Sequence, residues 1–321
     1  MNSLQLFVGI DVAKFFLDVL IFDGLSRRFE NTDSGIAEMV RWLKEQAGGR
    51  EIVAGLEATS TYHRCVLGAL DLAGVHTHCY NPRQVRDLAK GLRLLAKTDK
   101  VDAMVLARCV QIVGSPHVAR SEQASALRDI SRQIQYLTDQ RSDLIKRGQV
   151  PNRSVLAAES DQRMIQALRS EIQQLEKAWL MLLEASPLLR ERYRLLLSVP
   201  RIGPKTARVI ASELPEDLGP YARKQLAAYF GLVPYDCQSG LRKNKGAIGH
   251  RGNAHGRKAL FTVATLAMYS DPECLIFAQR LKDKGKHHLQ IVVAVMHKLL
   301  RRAIAVLLRG TPWEERTTLA A

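Results

Sequence analysis

Hydrophobic and polar positions alternate with a period of two along the start of the chain. In LFVGID the apolar Leu6, Val8 and Ile10 alternate with other residues, and FFLDVLIF supplies a second β-rich run that ends at Asp23-Gly24. The segment RRFENT has the composition of a short third strand. Alternation of this kind is typical of strands with one buried face, and the turn residues between the runs predict a three-strand meander.

The hydrophobic period then lengthens to that of a helix. Ser34 stands where an N-cap is expected, ahead of GIAEMVRWLKEQ, whose apolar residues have helical spacing. Strand-like EIVAGLEA, a helix over about 62–73, strand VHTHCY and a helix carrying DKVDAMVLARCV follow. Three strands followed by helix, strand, helix, strand and helix predict a mixed α/β sheet domain over roughly residues 1–110.

The middle of the chain has apolar residues three and four positions apart on both sides of a break at 148–151. The spacing predicts two long helices with coiled-coil-like seams. They either fold back as an antiparallel hairpin or pair between subunits, and a helical spacer without chemistry is the simplest interpretation. The seam positions are Leu127, Ile130, Ile134 and Leu137, then Ile165, Leu168, Ile172, Leu175, Trp179 and Leu182.

The third segment opens with LLLSVPRIGPKTARVIASEL, which predicts a helix, a tight turn over 200–204 and a second helix beginning at Lys205-Thr206. This pattern is similar to a helix-hairpin-helix, which directs backbone N–H groups and a helix N-terminus at a phosphate. Arg201 and Lys205 are therefore candidate nucleic-acid-binding residues. The segment GPKT lacks the upstream glycine of a Walker-type loop, which argues against ATP binding by that route.

Composition narrows the class of protein. The chain has 321 residues, of which 46% are hydrophobic and 25% charged, so it is rich enough in apolar residues to form a core and is not disordered as a whole. No apolar run approaches the ~20 residues of a membrane span, and MNSLQLFVGIDVAK does not read as a secretion signal. We expect a cytoplasmic protein without a membrane partner. The five scattered cysteines favour reduced thiols over disulfides or zinc.

Charge is distributed unevenly along the chain. The formal net charge is +15, and residues 186–321 contain 23 Lys and Arg against 10 Asp and Glu, whereas the two preceding segments are near neutral. A basic region of this size attracts a polyanion, and nucleic acid is favoured over lipid because no amphipathic anchor pattern is present.

Four acidic residues are candidates for chemistry. Asp11 and Glu57 each lie at the end of a hydrophobic strand, and Asp99 and Asp102 are three positions apart on a predicted helix, hence on one face. Carboxylates gathered at one sheet edge repel one another unless a hard cation is bound, and magnesium suits such oxygen ligands. Each acid taken alone is more often a solvated strand-end or capping residue.

A stretch over 242–258 mixes basic residues with glycines, which allows close approach to a phosphate backbone. A solvated flexible loop is the alternative interpretation. Its candidate nucleic-acid-binding residues are Arg242, Lys243, Lys245, Arg251 and Arg257.

Several motifs occur together and in order between about Phe7 and about Leu308: GIDVAK, LEATSTYH, NPRQVRDLAKGL, KTDKVDA, VPRIGPKTA, LAAYFGLVP, SGLRKNKGAIGHRGN and HKLLRRAIAVL. In this combination the chain resembles the DEDD transposases of bacterial insertion sequences. That family includes Piv-type DNA invertases, and several of its members are bridge-RNA-guided recombinases.

The resemblance implies a fold class for each region. It implies an α/β RNase H-like, RuvC-like catalytic domain over 1–115 and a coiled-coil helical hairpin over 116–190. A mainly α C-terminal domain with a helix-hairpin-helix-like element is implied over 191–321.

The resemblance also implies catalytic roles. The four acids would bind Mg²⁺, and Ser239 in GLVPYDCQSG would be the nucleophile that forms a phosphoserine link to DNA. Family members often have two adjacent serines here, whereas this chain has Gln238 before Ser239. The implied partners are donor and target DNA, a guide RNA and further copies of the chain, as a dimer or tetramer, in the bacterial cytoplasm at the nucleoid.

Three other functions stay open at this point. One is a metal-dependent RuvC-like, structure-specific nuclease that uses the four acids alone. Another is an ATPase or sugar kinase of the related actin-like fold, although VAKFFLDV lacks the glycine-rich loop expected after Asp11. The third is a non-catalytic nucleic-acid-binding protein. Insertion, excision and inversion are equally compatible with the sequence.

Overall fold

A computed structural model describes residues 4–57, 62–94, 99–113, 121–219, 223–239, 242–248 and 252–314. The chain divides into two compact units, Met1–Ala119 and Arg120–Ala321.

The first unit is a mixed five-stranded sheet with helices on both faces. The sheet has the order β3-β2-β1-β4-β5; β1 pairs antiparallel with β2 and β2 with β3, whereas β1, β4 and β5 are parallel. The predicted meander and the mixed α/β class are thus confirmed. The elements are β1 (Gln5–Val12), β2 (Phe16–Ile21), β3 (Ser26–Glu30), α1 (Asp33–Ala47), β4 (Glu51–Glu57), α2 (His63–Leu72), β5 (His76–Tyr80), α3 (Pro82–Gly91) and α4 (Asp99–Val113).

Alternation along the strands gives each sheet face its own core. Even-numbered residues of β1, such as Val8 and Ile10, pack with the apolar sides of α1 and α2, including Met39 and Leu70. On the other face Val53 packs with α3 and α4.

Two local predictions are wrong. The N-cap of α1 is Thr32, whose side chain accepts from the Gly35 N–H at 3.2 Å, and Ser34 lies inside the first turn. Thr32 has the extended backbone that an N-cap requires, so it, and not Ser34, meets the exposed amides. Helix α3 is absent from the prediction; Asn81 caps it through the Arg83 N–H, and Pro82 occupies its first turn.

Helix α4 lies directly on the sheet at two glycines. A Cβ on Gly9 would be 1.8 Å from the Ala103 carbonyl oxygen, and a Cβ on Gly55 would be 2.4 Å from a Val110 methyl carbon. Gly9 and Gly55 are neighbours in the β1–β4 register, so together they form a flat surface on which the helix backbone rests. Both glycines are therefore required by close approach.

The second unit is mostly helical, as predicted, with one small sheet that was not anticipated. Strands β6 and β7 pair antiparallel within the basic, glycine-rich region. The elements are α5 (Glu122–Gly148), α6 (Val155–Glu184), α7 (Pro187–Leu197), α8 (Pro204–Glu213), α9 (Arg223–Tyr229), β6 (Tyr235–Ser239), β7 (Arg242–Ala247), α10 (Ala254–Ser270), α11 (Pro272–Asp283) and α12 (His288–Arg309).

Helices α5 and α6 form an antiparallel hairpin within the chain, one of the two arrangements that their spacing allowed. Leu127 near the start of α5 packs with Trp179 near the end of α6, whereas Ile134 packs with Ile172. The indole N–H of Trp179 donates to the Leu127 carbonyl at 3.0 Å and to the Ser212 hydroxyl at 3.2 Å. These bonds join the hairpin to α8.

A buried carboxylate on α8 holds several parts of this unit together. Glu213, whose side chain is 1% exposed, accepts from Arg128 at 3.0 Å and from Arg132 at 2.7 Å. It also accepts from the Asn253 side-chain amide at 2.6 Å. Burial raises the pKa of Glu213, but the hydrogen bond from Arg132 and the charges of Arg128 and Arg132 outweigh it and bring the pKa to about 2.

Within the described residues, no single helix has both the length and the hydropathy of a membrane span. The helices Ala254–Ser270 and Pro272–Asp283, bent by 91°, reach those criteria only as a pair.

The glycine surface under α4 gives a first prediction. Gly9→Ala should lower the free energy of unfolding of the N-terminal unit by about 1–3 kcal/mol or more, because the helix backbone must move away from the added methyl group. Gly68→Ala on α2, where a Cβ meets nothing within 4 Å, is the control and should be neutral or stabilising. Urea unfolding compares the two, and equal stabilities would show that α4 is not held at this depth.

The Glu213 network gives a second prediction. Because the pKa of Glu213 is lowered on folding to about 2, its contribution to stability is present above the ordinary glutamate pKa and is lost as pH falls from about 5 towards 2. The stability difference between the wild-type chain and Glu213→Gln should therefore be a few kcal/mol at pH 7 and shrink over that window. Urea unfolding at a series of pH values measures it. A difference that does not change with pH would contradict the ion-pair assignment.

Candidate functional site

Two of the predicted acids lie side by side at the carboxyl edge of the parallel strands. Ile10 of β1 pairs with Leu56 of β4, so Asp11 and Glu57 occupy the next position of the same register. Both residues are partly buried. Directly opposed residues of neighbouring strands project from the same face, which places the two carboxylates on one side of the sheet.

That side is the one covered by α4. Asp11 and Glu57 each follow, by two positions, the glycines Gly9 and Gly55 on which α4 rests, and a step of two keeps the same face. The predicted acids therefore face the helix that carries Asp99 and Asp102.

The direction of α4 brings its amino-terminal half towards the same edge. Ala103 lies over Gly9. Further along α4, the Arg108 guanidinium lies 4.1 Å from the ring centroid of Phe22, whose N–H donates to the Phe7 carbonyl at the other end of β1. The helix thus runs back along β1, and the partly buried Asp102 precedes Ala103 on the side of Asp11.

The edge includes a further acid on the neighbouring strand β2. Asp18 on β2 is the register partner of Asp11. Its carboxylate accepts two hydrogen bonds from the Arg28 guanidinium, at 2.9 and 3.0 Å. This bidentate pair compensates the charge of Asp18.

Two neutral groups border Glu57 and were also missed from sequence. Tyr80 on β5 is the register partner of Glu57. Burial raises the pKa of the buried Tyr80 phenol well above its ordinary value. The pKa of the Cys109 thiol is raised to about 11, mainly by burial and to a smaller extent by the charge of Glu57. Both groups therefore stay protonated at neutral pH, and the only sequence signal for Tyr80 is its place at the end of VHTHCY.

Carboxylate oxygens are the ligands that magnesium prefers, so the donor chemistry at this edge suits a hard cation. Among the side chains that the structure describes, no three His, Cys, Asp or Glu groups lie close enough together to hold a metal ion. Asp99 begins α4, and its side chain is outside that described set.

Ser239 lies at the end of a strand in the second unit. It is the last residue of β6 and pairs with Arg242, the first residue of β7, across residues 240 and 241, which are outside the described part. Lys243 and Lys245 continue along β7. Arg251 lies outside the described residues, and Arg257 on α10 donates to the Phe230 carbonyl at 3.4 Å.

The residues just before β6 and just after β7 are held together by hydrogen bonds and close packing. Before the strands, the Tyr229 carbonyl accepts from the Asn253 N–H that follows them, at 2.7 Å. Gly252 lies against Gly231 so closely that a Cβ on Gly252 would be 2.5 Å from the Gly231 nitrogen. Asn253 also caps α10 through the Gly256 N–H and donates to Glu213. The segment carrying Ser239 is therefore a loop closed at its base.

Helix α7, a tight turn and helix α8 follow one another in the predicted order. Arg201 has a positive φ of 70°, a conformation that favours glycine, and its guanidinium donates to the Ser270 carbonyl. Lys205 is exposed in the first turn of α8.

Family models and individual proteins both match this chain. A model of the DEDD transposases of the IS110 group, described as "Transposase", matches residues 8–149, and one described as "Transposase IS116/IS110/IS902 family" matches residues 193–277. The "Pilin gene-inverting protein" of Moraxella bovis is 29% identical over 321 residues, covering 97% of this chain and 98% of that protein. The protein of the same name from Moraxella lacunata is equally similar over the same shares.

A third relative matches a shorter region. The "Insertion element IS110 uncharacterized 43.6 kDa protein" of Streptomyces coelicolor is 30% identical over 135 residues, which is 42% of this chain and 32% of that protein. Two models of one family match both the sheet unit and the helical unit in order. The chain belongs to the IS110 family of transposases.

Proposed function

We propose that this chain is a DNA transposase or site-specific recombinase that cleaves and rejoins DNA through a phosphoserine intermediate. The observation that carries the proposal is the register that sets Asp11 beside Glu57 under the amino-terminal half of α4, in a member of a transposase family. Its full-length similarity to proteins named as gene-inverting supports strand rejoining over simple hydrolysis.

The N-terminal unit would be the RNase H-like, RuvC-like catalytic domain over 1–115. The order β3-β2-β1-β4-β5, with an antiparallel meander followed by parallel strands, is compatible with that fold. Asp11, Glu57, Asp99 and Asp102 would hold Mg²⁺, which when bound neutralises negative charge on the phosphoryl oxygens.

Ser239 would act as the nucleophile. Its Oγ forms a bond to the phosphorus of a DNA phosphodiester while the bond from phosphorus to one sugar oxygen breaks. The hydroxyl proton lost by serine is balanced by the proton gained by the departing sugar oxygen. Attack by the hydroxyl of another DNA end reverses the step and restores Ser239, so no nucleotide hydrolysis is needed. The cations proposed to support this region are Arg242, Lys243, Lys245, Arg251 and Arg257.

The partners we propose are donor and target DNA, a guide RNA and further copies of this chain, as a dimer or tetramer at the nucleoid. The basic excess of residues 186–321 supports contact with nucleic-acid backbones. Base pairing by a guide would leave the protein to contact backbone and shape, as in other RNA-guided systems.

The serine mechanism gives a third prediction. Ser239→Ala should reduce covalent protein–DNA adducts by at least about 10³-fold, because the attacking hydroxyl is gone. Adducts that survive denaturation in detergent are counted on supercoiled DNA carrying the sequences that flank the gene, with RNA transcribed from them. Ser270→Ala, an exposed serine on α10, is the matched control and should keep wild-type adduct levels.

The same variant separates recombinase from nuclease. A metal-dependent nuclease using only the four acids would continue to hydrolyse DNA when Ser239 is replaced. Undiminished cleavage by Ser239→Ala would therefore overturn the phosphoserine proposal in favour of the nuclease.

The acidic edge gives a fourth prediction. Asp11→Asn should lower DNA cleavage by about 10²-fold or more while changing DNA affinity by less than about two-fold, since the amide keeps the shape but loses the charge. Asp33→Asn, an exposed acid at the start of α1, should be silent. Cleavage and electrophoretic mobility shift are measured on the same DNA. Recombination that persists in Asp11→Asn would remove the acids from the mechanism.

A further inference from the structure

A cavity of about 400 Å³ opens among α5, α6, α8 and α10 of the second unit. Most of the lining residues that the structure describes have polar side chains, and four different helices contribute them.

The first turn of α8 forms one wall. Lys205 and Thr206 line the cavity, and no side chain caps this helix; its N-cap is Gly203. The exposed amides of an uncapped helix end, together with the positive end of the helix dipole, favour an anion.

Two guanidinium groups of the lining have incomplete hydrogen bonding. Arg208 is 8% exposed, and its Nη1 donates to Glu176 at 3.0 Å, but its buried Nε has no hydrogen-bond partner. Arg141 on α5, which also lines the cavity, likewise has a buried Nε without a partner. A donor buried without an acceptor costs roughly 1–3 kcal/mol, so neither guanidinium group is fully satisfied by the protein alone.

The charge of the lining is strongly positive. Among the described residues that line the cavity, five carry cationic side chains and two carry carboxylates, Asp139 and Glu176. The carboxylates are each engaged by a single lining cation, Asp139 by Lys258 at 2.5 Å and Glu176 by Arg208. The cations are Arg141, Arg169, Lys205, Arg208 and Lys258.

We propose that this cavity is a phosphate-binding site for the sugar–phosphate backbone of a nucleic acid, held by the α8 amino terminus, Lys205, Arg208, Arg141 and Arg169. The inference rests on the proposed function for the class of partner. The contact is a positioning one, since it recognises backbone and not sequence.

The test uses the full chain with two charge-matched double variants. Arg169→Gln/Lys205→Gln removes two exposed cations of the cavity, whereas Arg163→Gln/Lys282→Gln removes two exposed cations elsewhere in the same unit. Affinity is measured by fluorescence anisotropy at several salt concentrations, with duplex DNA and with a structured RNA from the flanking sequence as separate probes. Thermal unfolding checks that both variants fold.

The cavity variant should bind at least one of the two probes about ten-fold more weakly near 0.15 M salt. The slope of log affinity against log salt should fall in magnitude by about one to two, because a protein that makes fewer phosphate contacts releases fewer counterions when it binds. The control variant should change affinity less than about two-fold. The probe that weakens identifies the backbone as DNA or RNA.

Equal weakening by both variants would show a net-charge effect only and would overturn the site. Unchanged binding of both probes by the cavity variant would do the same. Inorganic phosphate that stabilises the wild-type chain but not the cavity variant, without change in nucleic-acid affinity, would reassign the cavity to a free anion. Because these readouts are binding constants, they stand apart from the adduct assay for Ser239, and either proposal can fail alone.

Discussion

The contact on which the first unit depends is the direct approach of the α4 backbone to the sheet at Gly9 and Gly55. At Gly9 the helix backbone itself approaches the strand, and at Gly55 a Val110 methyl group and the Leu106 carbonyl oxygen do so, which leaves no space for a side chain on either glycine. This fixes where the amino-terminal half of α4 meets the carboxyl edge of β1 and β4. Asp102 on the helix and Asp11 on the strand are therefore held by the same rigid contact. Any larger residue in either glycine position would move the helical acids away from those of the strands.

The two acidic regions of the molecule show how surroundings decide what a carboxylate can do. Glu213 is buried among donors, and Arg128 and Arg132 compensate its charge so completely that its role is structural. Asp18 is similarly engaged by Arg28. Next to Glu57, the phenol of Tyr80 and the thiol of Cys109 have raised pKa values and stay neutral. Residue type alone does not separate these cases, because the distinction lies in which partners the fold supplies.

The sequence predicts those features that repeat along the chain. Alternation gave the meander of β1 to β3, and the three-and-four spacing gave the α5–α6 hairpin, since both patterns reflect one buried face. Features that depend on a single residue were less accessible: Thr32 and Ser34 are equally good capping types, and only the backbone conformation selects Thr32. The β6–β7 strands contain few apolar residues, so their sequence has no hydrophobic alternation from which strands could be predicted. The cavity is assembled from α5, α6, α8 and α10, and no local pattern joins Arg141, Arg169 and Arg208.

The position of Glu213 also has a mechanical meaning. Its carboxylate joins α5, through Arg128 and Arg132, to Asn253, which closes the base of the loop that carries Ser239. Two further contacts, of Trp179 with Ser212 and of Lys258 with Asp139, tie the same hairpin to α8 and α10. The hairpin and the base of the loop therefore belong to one connected framework, in which a mechanical load on the hairpin would be shared among several side chains.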